Sequence, residues 1–223
     1  RSDLLVHVCS LFISKSFKRI VTIHGKYGTY LQGNCFIDLL RKIFVKQQSK
    51  IWKTAENVIV ISESIKDWLN HLNPSINPIV IPYGIEVPQM NSENKSKTAT
   101  LGYLGKLNKN KGIEDLIDVY ANLLKKENFN KLEPNLLIGG VGSQNYIKSV
   151  NKRISNKNIE FLGYVEDRYR FFNSIEIFIF PSYSEGLGLV LLEAMSHEVL
   201  CITRDVTPMN SIINNGENGF LFK

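Results

Sequence analysis

Glu185 and Glu193 stand eight residues apart in "EGLGLVLLE", with no charge between them. Carboxylates accept hydrogen bonds from vicinal hydroxyls, so two of them suit a sugar or a ribose. Eight residues on an α-helix turn about 80°, so Glu193 reaches the site that Glu185 lines if the helix runs along its wall. A plainer reading is open at this point: Glu185 or Ser184 caps the helix and Glu193 is ordinary surface. Lys106, Lys109 and Lys111 cluster in "GYLGKLNKNKG". Lysines round a glycine turn, just before a helix that starts near Gly112, make an anion site. A solvated basic loop would use the same residues. His24 ends the run "VTIH", where a lone histidine serves structure as readily as chemistry.

These residues fall where strands end. From Thr98 onward, continuous apolar runs alternate with helical patterns: "TATLGYL", "NLLIGG", "IEFLGY", "IEIFIFPS" and "VLCIT" read as strands. "GIEDLIDVYANLLKK", residues 143–155, "EDRYRFF" and "GLVLLEAMSHE" read as helices, and "TPMNSIINN" as a helical turn. That alternation predicts a parallel sheet covered on both faces. "LLVHV", "RIVTIH", "NVIVIS" and "PIVIPYG" repeat the grammar upstream, with helices near residues 36–55 and 63–71. "VPQMNSENKSKT" is the polar linker between the two parts. The expected fold class is therefore α/β, two doubly wound domains, with a single extended sheet as the alternative. In such sheets ligands bind outside the carboxyl ends of the strands. Those ends carry the lysine turn, the glycine turn "IGGVGS", "GYVED" and "PSYSEGLG". "IGGVGS" lacks the full dinucleotide fingerprint, and tight-turn geometry explains it equally well. Main-chain groups of Tyr164 and Val165 could meet a nucleobase. Pro181 and Gly186 mark a sharp turn into a helix, whose free amides and positive dipole end suit a phosphate. Cations for a diphosphate, a helix N-terminus and carboxylates for hydroxyls together make a nucleotide-sugar site.

Composition narrows the class further. No window approaches the roughly 20 apolar residues of a membrane span. Cys9, Cys35 and Cys201 are widely spaced with no CxxC, which argues against a disulfide framework or a zinc site and fits a reducing cytosol. Residues 1–85 hold 11 Lys+Arg against 5 Asp+Glu, whereas residues 86–223 hold 16 of each, so the two halves face different partners. Lys42, Lys46, Lys50 and Lys53 fall within about 80° of one another at helical spacing, with Leu40, Phe44, Ile51 and Ala55 opposite. Such a ridge is either a solvated face or a contact for an anionic membrane surface or lipid-phosphate acceptor. No aromatic-rich RNA motif or recognition-helix signature accompanies it, so no nucleic-acid partner is expected.

The motifs "GKLNKNKG", "GYV", "FPSYSEGLGLVLLEAM" and "NGENGFLF", in that order, with "VTIHG" and "VIPYGIEVP" upstream, resemble the family 4 retaining glycosyltransferases of the GT-B fold. The resemblance covers nearly all of the chain. It implies two Rossmann-like domains facing across a cleft. Residues 1–85 would be the C-terminal part of the acceptor-side domain, 86–98 the linker and 99–223 the nucleotide-sugar domain, cut short at its end. The chain opens on Arg1 and stops as a strand begins, which fits an interior fragment of a longer protein. The resemblance implies that Lys106 and Lys111 hold the donor diphosphate, Glu185 the donor hexose and Glu193 the ribose hydroxyls. Gly188 and Leu189 would present amides to phosphate, with Gly105, Tyr164, Val165, Gly186 and Leu187 completing the donor site. His24 would face the transferred sugar and join Lys106, Lys111 and Glu185 as the catalytic set.

The activity implied is transfer of a hexose, with retention and without a metal or other cofactor, from a UDP- or GDP-sugar to a glycan or lipid-linked acceptor. The setting implied is the cytoplasm, with the enzyme peripheral to the membrane. The alternatives are a non-catalytic sugar- or lipid-binding relative, and a GT-B epimerase or phosphorylase. Two departures from the family pattern bear on them. Glu198 and Leu200 stand where a glycine and a proline are usual, and Ser211 stands where a glutamate is frequent.

Overall fold

The computed structural model describes residues 18–26, 35–88, 100–132, 134–154 and 158–223. The expected strand "LLVHV" and residues 89–98 of the expected linker lie outside the described residues. The chain divides into two compact units, Arg1–Tyr83 and Gly84–Lys223.

In the first unit β1 (Ile20–Ile23), β2 (Asn57–Val60) and β3 (Ile79–Val80) form a parallel sheet in that order. α1 (Cys35–Trp52) connects β1 to β2, and α2 (Glu63–Leu72) connects β2 to β3. Val21, Ile23, Val58 and Val60 point into the core, where α2 adds the fully buried Ile65 and Leu69. α2 starts where the Ser62 hydroxyl accepts from the Ile65 amide at 3.3 Å, satisfying one amide of its first turn. "PIVIPYG" pairs over only two residues.

α1 corrects the expected face of the basic helix. It buries Asp38, Val45, Ser49 and Trp52, while Leu40 and Phe44, placed opposite the lysines by periodicity, are about half exposed. The helix also ends at Trp52, so Lys53 falls beyond it. Trp52 decides the orientation: it is 1% exposed and packs on Trp68 with ring centroids 6.4 Å apart. Burying a ring of that size outweighs any one aliphatic side chain.

The second unit is a six-stranded, all-parallel sheet. β4 (Thr100–Leu104), β5 (Asn135–Gly139), β6 (Ile159–Gly163), β7 (Ile177–Phe180), β8 (Leu200–Arg204) and β9 (Phe220–Phe222) lie in the order β6-β5-β4-β7-β8-β9. The crossovers carry α3 (Ile113–Leu123), α4 (Glu127–Asn130), α5 (Gln144–Asn151), α6 (Arg168–Asn173), α7 (Leu189–Ser196) and α8 (Met209–Ile212). All five residues of β4 are buried, as befits a central strand with both faces covered. Leu101 pairs with Leu136 on one side and with Ile177 on the other. Tyr103, Leu136, Ile138, Phe178 and Phe180 form the heart of the core. α5 is four residues shorter at its C-terminal end than the expected 143–155 span, with the Ser143 hydroxyl capping the Tyr146 amide.

The chain leaves β4 outward to β5 and β6, then crosses back to place β7 on the other side of β4. The strand order therefore reverses between β4 and β7. A crevice opens outside the carboxyl ends of two strands at such a switch point.

Candidate functional site

Two loops meet at the switch point. The first leaves β4 through Gly105 and runs to Gly112. Asn108 caps a short 3-10 turn, Lys109–Lys111, by accepting from the Asn110 amide at 3.0 Å. Gly112 then enters α3 with φ of 66°, and a Cβ there would fall 2.3 Å from the Pro181 carbonyl oxygen. Only glycine tolerates both the left-handed backbone and that approach. The second loop leaves β7 at Pro181 and reaches Gly188. The Tyr183 amide donates to the Asn110 carbonyl at 2.9 Å, so backbone ties the loops together.

That contact sets Lys111 against Glu185. The Lys111 ammonium lies 2.5 Å from Glu185 Oε1 and 3.5 Å from the Ser184 carbonyl oxygen. Both side chains are about one-sixth exposed, so the pair is shielded yet still reached by solvent. Lys106 and Lys109 are exposed on the same turn, and the Lys106 carbonyl accepts from the buried Tyr103 hydroxyl at 3.2 Å. Burial, then the Glu185 carboxylate and Tyr146, push the Tyr103 hydroxyl well above its usual pKa, which keeps it a proton donor under this turn.

A second cluster braces the β7 loop, and the sequence pattern did not reveal it. Arg204, at the end of β8, donates to Asp115 Oδ2 at 2.8 Å and to the Pro181 carbonyl at 3.2 Å. Its guanidinium lies 4.0 Å over the Tyr183 ring, and the Tyr183 hydroxyl donates to the same Asp115 oxygen at 2.5 Å. Donating that bond is what raises the Tyr183 pKa, with smaller contributions from burial and the Asp115 charge. These residues come from three separate elements, with no shared spacing to betray them.

α7 begins at Gly188, whose φ is 80° and which makes no side-chain cap bond. Neither Glu185 nor Ser184 caps the helix, which removes the plainer account of Glu185. The Leu191 amide donates to the Gly188 carbonyl at 2.9 Å. The Leu189 and Val190 amides precede it at the helix mouth, among those with no carbonyl one turn back. Gly186 and Leu187 lie in the same loop.

Glu193 follows on the second turn of α7. Its partner is not the one that Glu185 engages. Arg168, the first residue of α6, donates from one nitrogen to both Glu193 oxygens, at 2.7 and 2.8 Å. The pair borders a 370 Å³ pocket with Gly84, Ile85, Glu86 and His197. Arg168 escaped the sequence reading, although a cation in the first turn of a helix opposes the helix dipole and was a signal. At the neighbouring strand end Tyr164 is 76% exposed. Val165 packs over Gly139, where a Cβ would meet its Cγ2 at 2.6 Å. The "IGGVGS" glycines serve close packing: a Cβ on Gly140 would fall 1.7 Å from the Gly105 carbonyl oxygen.

His24, in the first unit, follows β1. Its Nδ1 hydrogen-bonds the Tyr83 hydroxyl, and the two rings stack with centroids 5.6 Å apart. Cys201 is buried, and burial pushes its thiol up to about 12, as expected of an inert apolar-like residue. Cys9 lies outside the described residues. Among the described residues, no group of three or more His, Cys, Asp and Glu could hold a metal ion. Nor is any helix among them long and apolar enough to cross a membrane.

The chain is similar to several known glycosyltransferases. The capsular polysaccharide biosynthesis glycosyltransferase CapM of Staphylococcus aureus is 28% identical over 97% of this chain and 60% of its own length. The chain thus spans about three-fifths of that curated relative. Among solved structures, Anabaena Alr3699/HepE in complex with UDP and glucose superposes with a TM-score of 0.80 at 15% identity, over 99% of this chain and 61% of its own. The pneumococcal O-GlcNAc transferase GtfA, in complex with UDP and GlcNAc, gives 0.70 at 21% identity, over 92% and 41%. Those likenesses establish the GT-B type of fold, two Rossmann-like units. The glycosyl transferases group 1 family matches residues 88–223, the stretch that holds the lysine turn, the Glu185 loop and α7, and the chain belongs to that family.

Proposed function

We propose that the protein transfers a hexose from a nucleotide-diphosphate sugar to a glycan or lipid-linked acceptor, with retention of configuration and without a metal. The observation that carries this reading is the Lys111–Glu185 contact at the switch point, 2.5 Å long and only partly buried. It sets an anion-binding cation beside an acceptor for sugar hydroxyls. In this reading Lys111 and Lys106 hold the diphosphate with the Gly188 and Leu189 amides, and Glu185 receives hexose hydroxyls. Glu193 takes the ribose diol, and main-chain groups at Tyr164 and Val165 meet the base. His24, held by Tyr83, serves the transferred sugar. UDP is the favoured nucleotide, because HepE and GtfA bind it.

The chemistry follows from where charge develops. As the bond between the anomeric carbon and the phosphate oxygen breaks, negative charge grows on the departing diphosphate. Preorganised lysines and helix amides stabilise that charge more than they stabilise the intact donor, which lowers the barrier. The acceptor hydroxyl forms its bond on the same face and gives its proton to the leaving phosphate oxygen. Glu185, already engaged by Lys111, binds hydroxyls and is not the nucleophile.

Incubation with UDP-, GDP- and ADP-sugars and polysaccharide or glycolipid acceptors tests the reading through release of nucleoside diphosphate. One donor is expected to turn over, and Lys111→Ala is expected to lower kcat/KM about a hundredfold, as loss of a transition-state donor does. Nucleotide binding with no turnover for any pair would favour the non-catalytic alternative.

A further inference from the structure

Arg168 holds both oxygens of the Glu193 carboxylate. One nitrogen straddles both oxygens, at 2.7 and 2.8 Å. A carboxylate offers about four acceptor sites, so this grip leaves the outer site of each oxygen free. The guanidinium is about half exposed and the carboxylate about a quarter, at the rim of the 370 Å³ pocket.

The pair is not needed to join its helices. α6 and α7 are already pinned by His197, which is 6% exposed. His197 Nδ1 hydrogen-bonds Asn173 at 3.0 Å, and its ring packs on Phe172 at 5.3 Å and on Tyr169 at 5.1 Å. Arg168 lies at the opposite end of α6 from Asn173, the end that follows the Tyr164–Val165 loop. Asp167 caps that end by accepting from the Arg170 amide at 2.8 Å, which fixes the backbone from which Arg168 reaches. A cation there opposes the helix dipole, and the Glu193 carboxylate is the partner that offsets it.

We propose that Arg168 is a positioning residue for ribose recognition: it fixes the Glu193 carboxylate so that the free site of each oxygen meets the 2′- and 3′-hydroxyls of the donor nucleotide. This rests on the reading of Glu193 as the ribose ligand. It makes discrimination between ribo- and deoxyribonucleotides depend on a residue that never touches the sugar, and it links that discrimination to the loop beneath the base.

Calorimetric titration of the protein with UDP, 2′-deoxy-UDP, GDP and 2′-deoxy-GDP tests it. The unaltered protein is expected to prefer the ribonucleotide of its chosen base. Arg168→Ala is expected to weaken the ribonucleotide about tenfold, as loss of a charged hydrogen bond does, and to weaken the deoxy form much less, so that the preference narrows. Arg168→Lys should restore part of it, and both variants should keep the melting temperature, because His197 still joins the helices. Equal weakening of both nucleotides by Arg168→Ala would overturn the proposal. So would no change with Arg168→Ala while Glu193→Ala abolishes the preference, a result that keeps the ribose reading. No change with Glu193→Ala would overturn that reading and the proposal with it.

Discussion

Glu198 occupies a backbone position that suits glycine. Its φ is 56°, in the left-handed region. It sits just past α7, where the Val199 amide donates to the Ala194 carbonyl at 3.2 Å and the Glu198 amide to the Met195 carbonyl at 3.0 Å. Those two bonds make a Schellman turn, whose left-handed residue is usually glycine. The departure from the family pattern at Glu198 is thus a matter of helix termination. It lies at the opposite end of α7 from the Gly188 loop. Glu198→Gly is expected to raise stability by about 1 kcal/mol, the order of the left-handed cost of a side chain, and to leave nucleotide affinity unchanged. Urea denaturation checks the first part and calorimetry the second; a loss of stability would contradict the account. At this scale the chemical types were legible. Glu185, Lys106, Lys111 and Glu193 stood out by charge next to strand ends. The two arginines were not, because Arg168 and Arg204 meet Glu193 and Asp115 across 25 and 89 residues, and such pairings exist only once the sheet order is known.

The elements explain which parts of the pattern could be read. β4, β5 and β7 stood out because strands buried on both faces are apolar throughout. The face of α1 did not, because four lysines on one arc suggest which side is wet, whereas Trp52 determines which side is buried. α3 shows how an element is locked in place. Tyr120 is 1% exposed, and its hydroxyl donates to the Pro134 carbonyl at 2.7 Å, pinning the helix to the start of β5. Burial pushes its pKa from 10.0 up to about 12. The folded state therefore favours the protonated phenol. Its contribution is complete below pH 10.0 and is lost as pH rises through about 12. Tyr120→Phe is expected to cost about 1 kcal/mol at pH 8, the net worth of one hydrogen bond. The variant should also lose less stability than the parent between pH 10 and about 12. Denaturation series at about pH 8, 10 and 12 measure both, and an equal alkaline loss in the two proteins would contradict the burial argument.

At the scale of the whole molecule, both units are parallel α/β sheets, and the group 1 family match covers residues 88–223, which hold the lysine turn, Glu185 and Glu193. The first unit holds the excess positive charge of the chain and the His24–Tyr83 pair. The central claim is that the second unit binds a nucleoside diphosphate between Lys111 and Glu193. A ligand at a hundred times its Kd stabilises the folded state by about 2.7 kcal/mol, which for a chain of this size raises the melting temperature by about 5 °C or more. Thermal unfolding with UDP, GDP and ADP is therefore the most direct measurement. One of them, with UDP favoured, is expected to give that shift, and Lys111→Ala and Glu193→Ala to lose most of it. No shift with any of the three, or a full shift in both variants, would contradict the account.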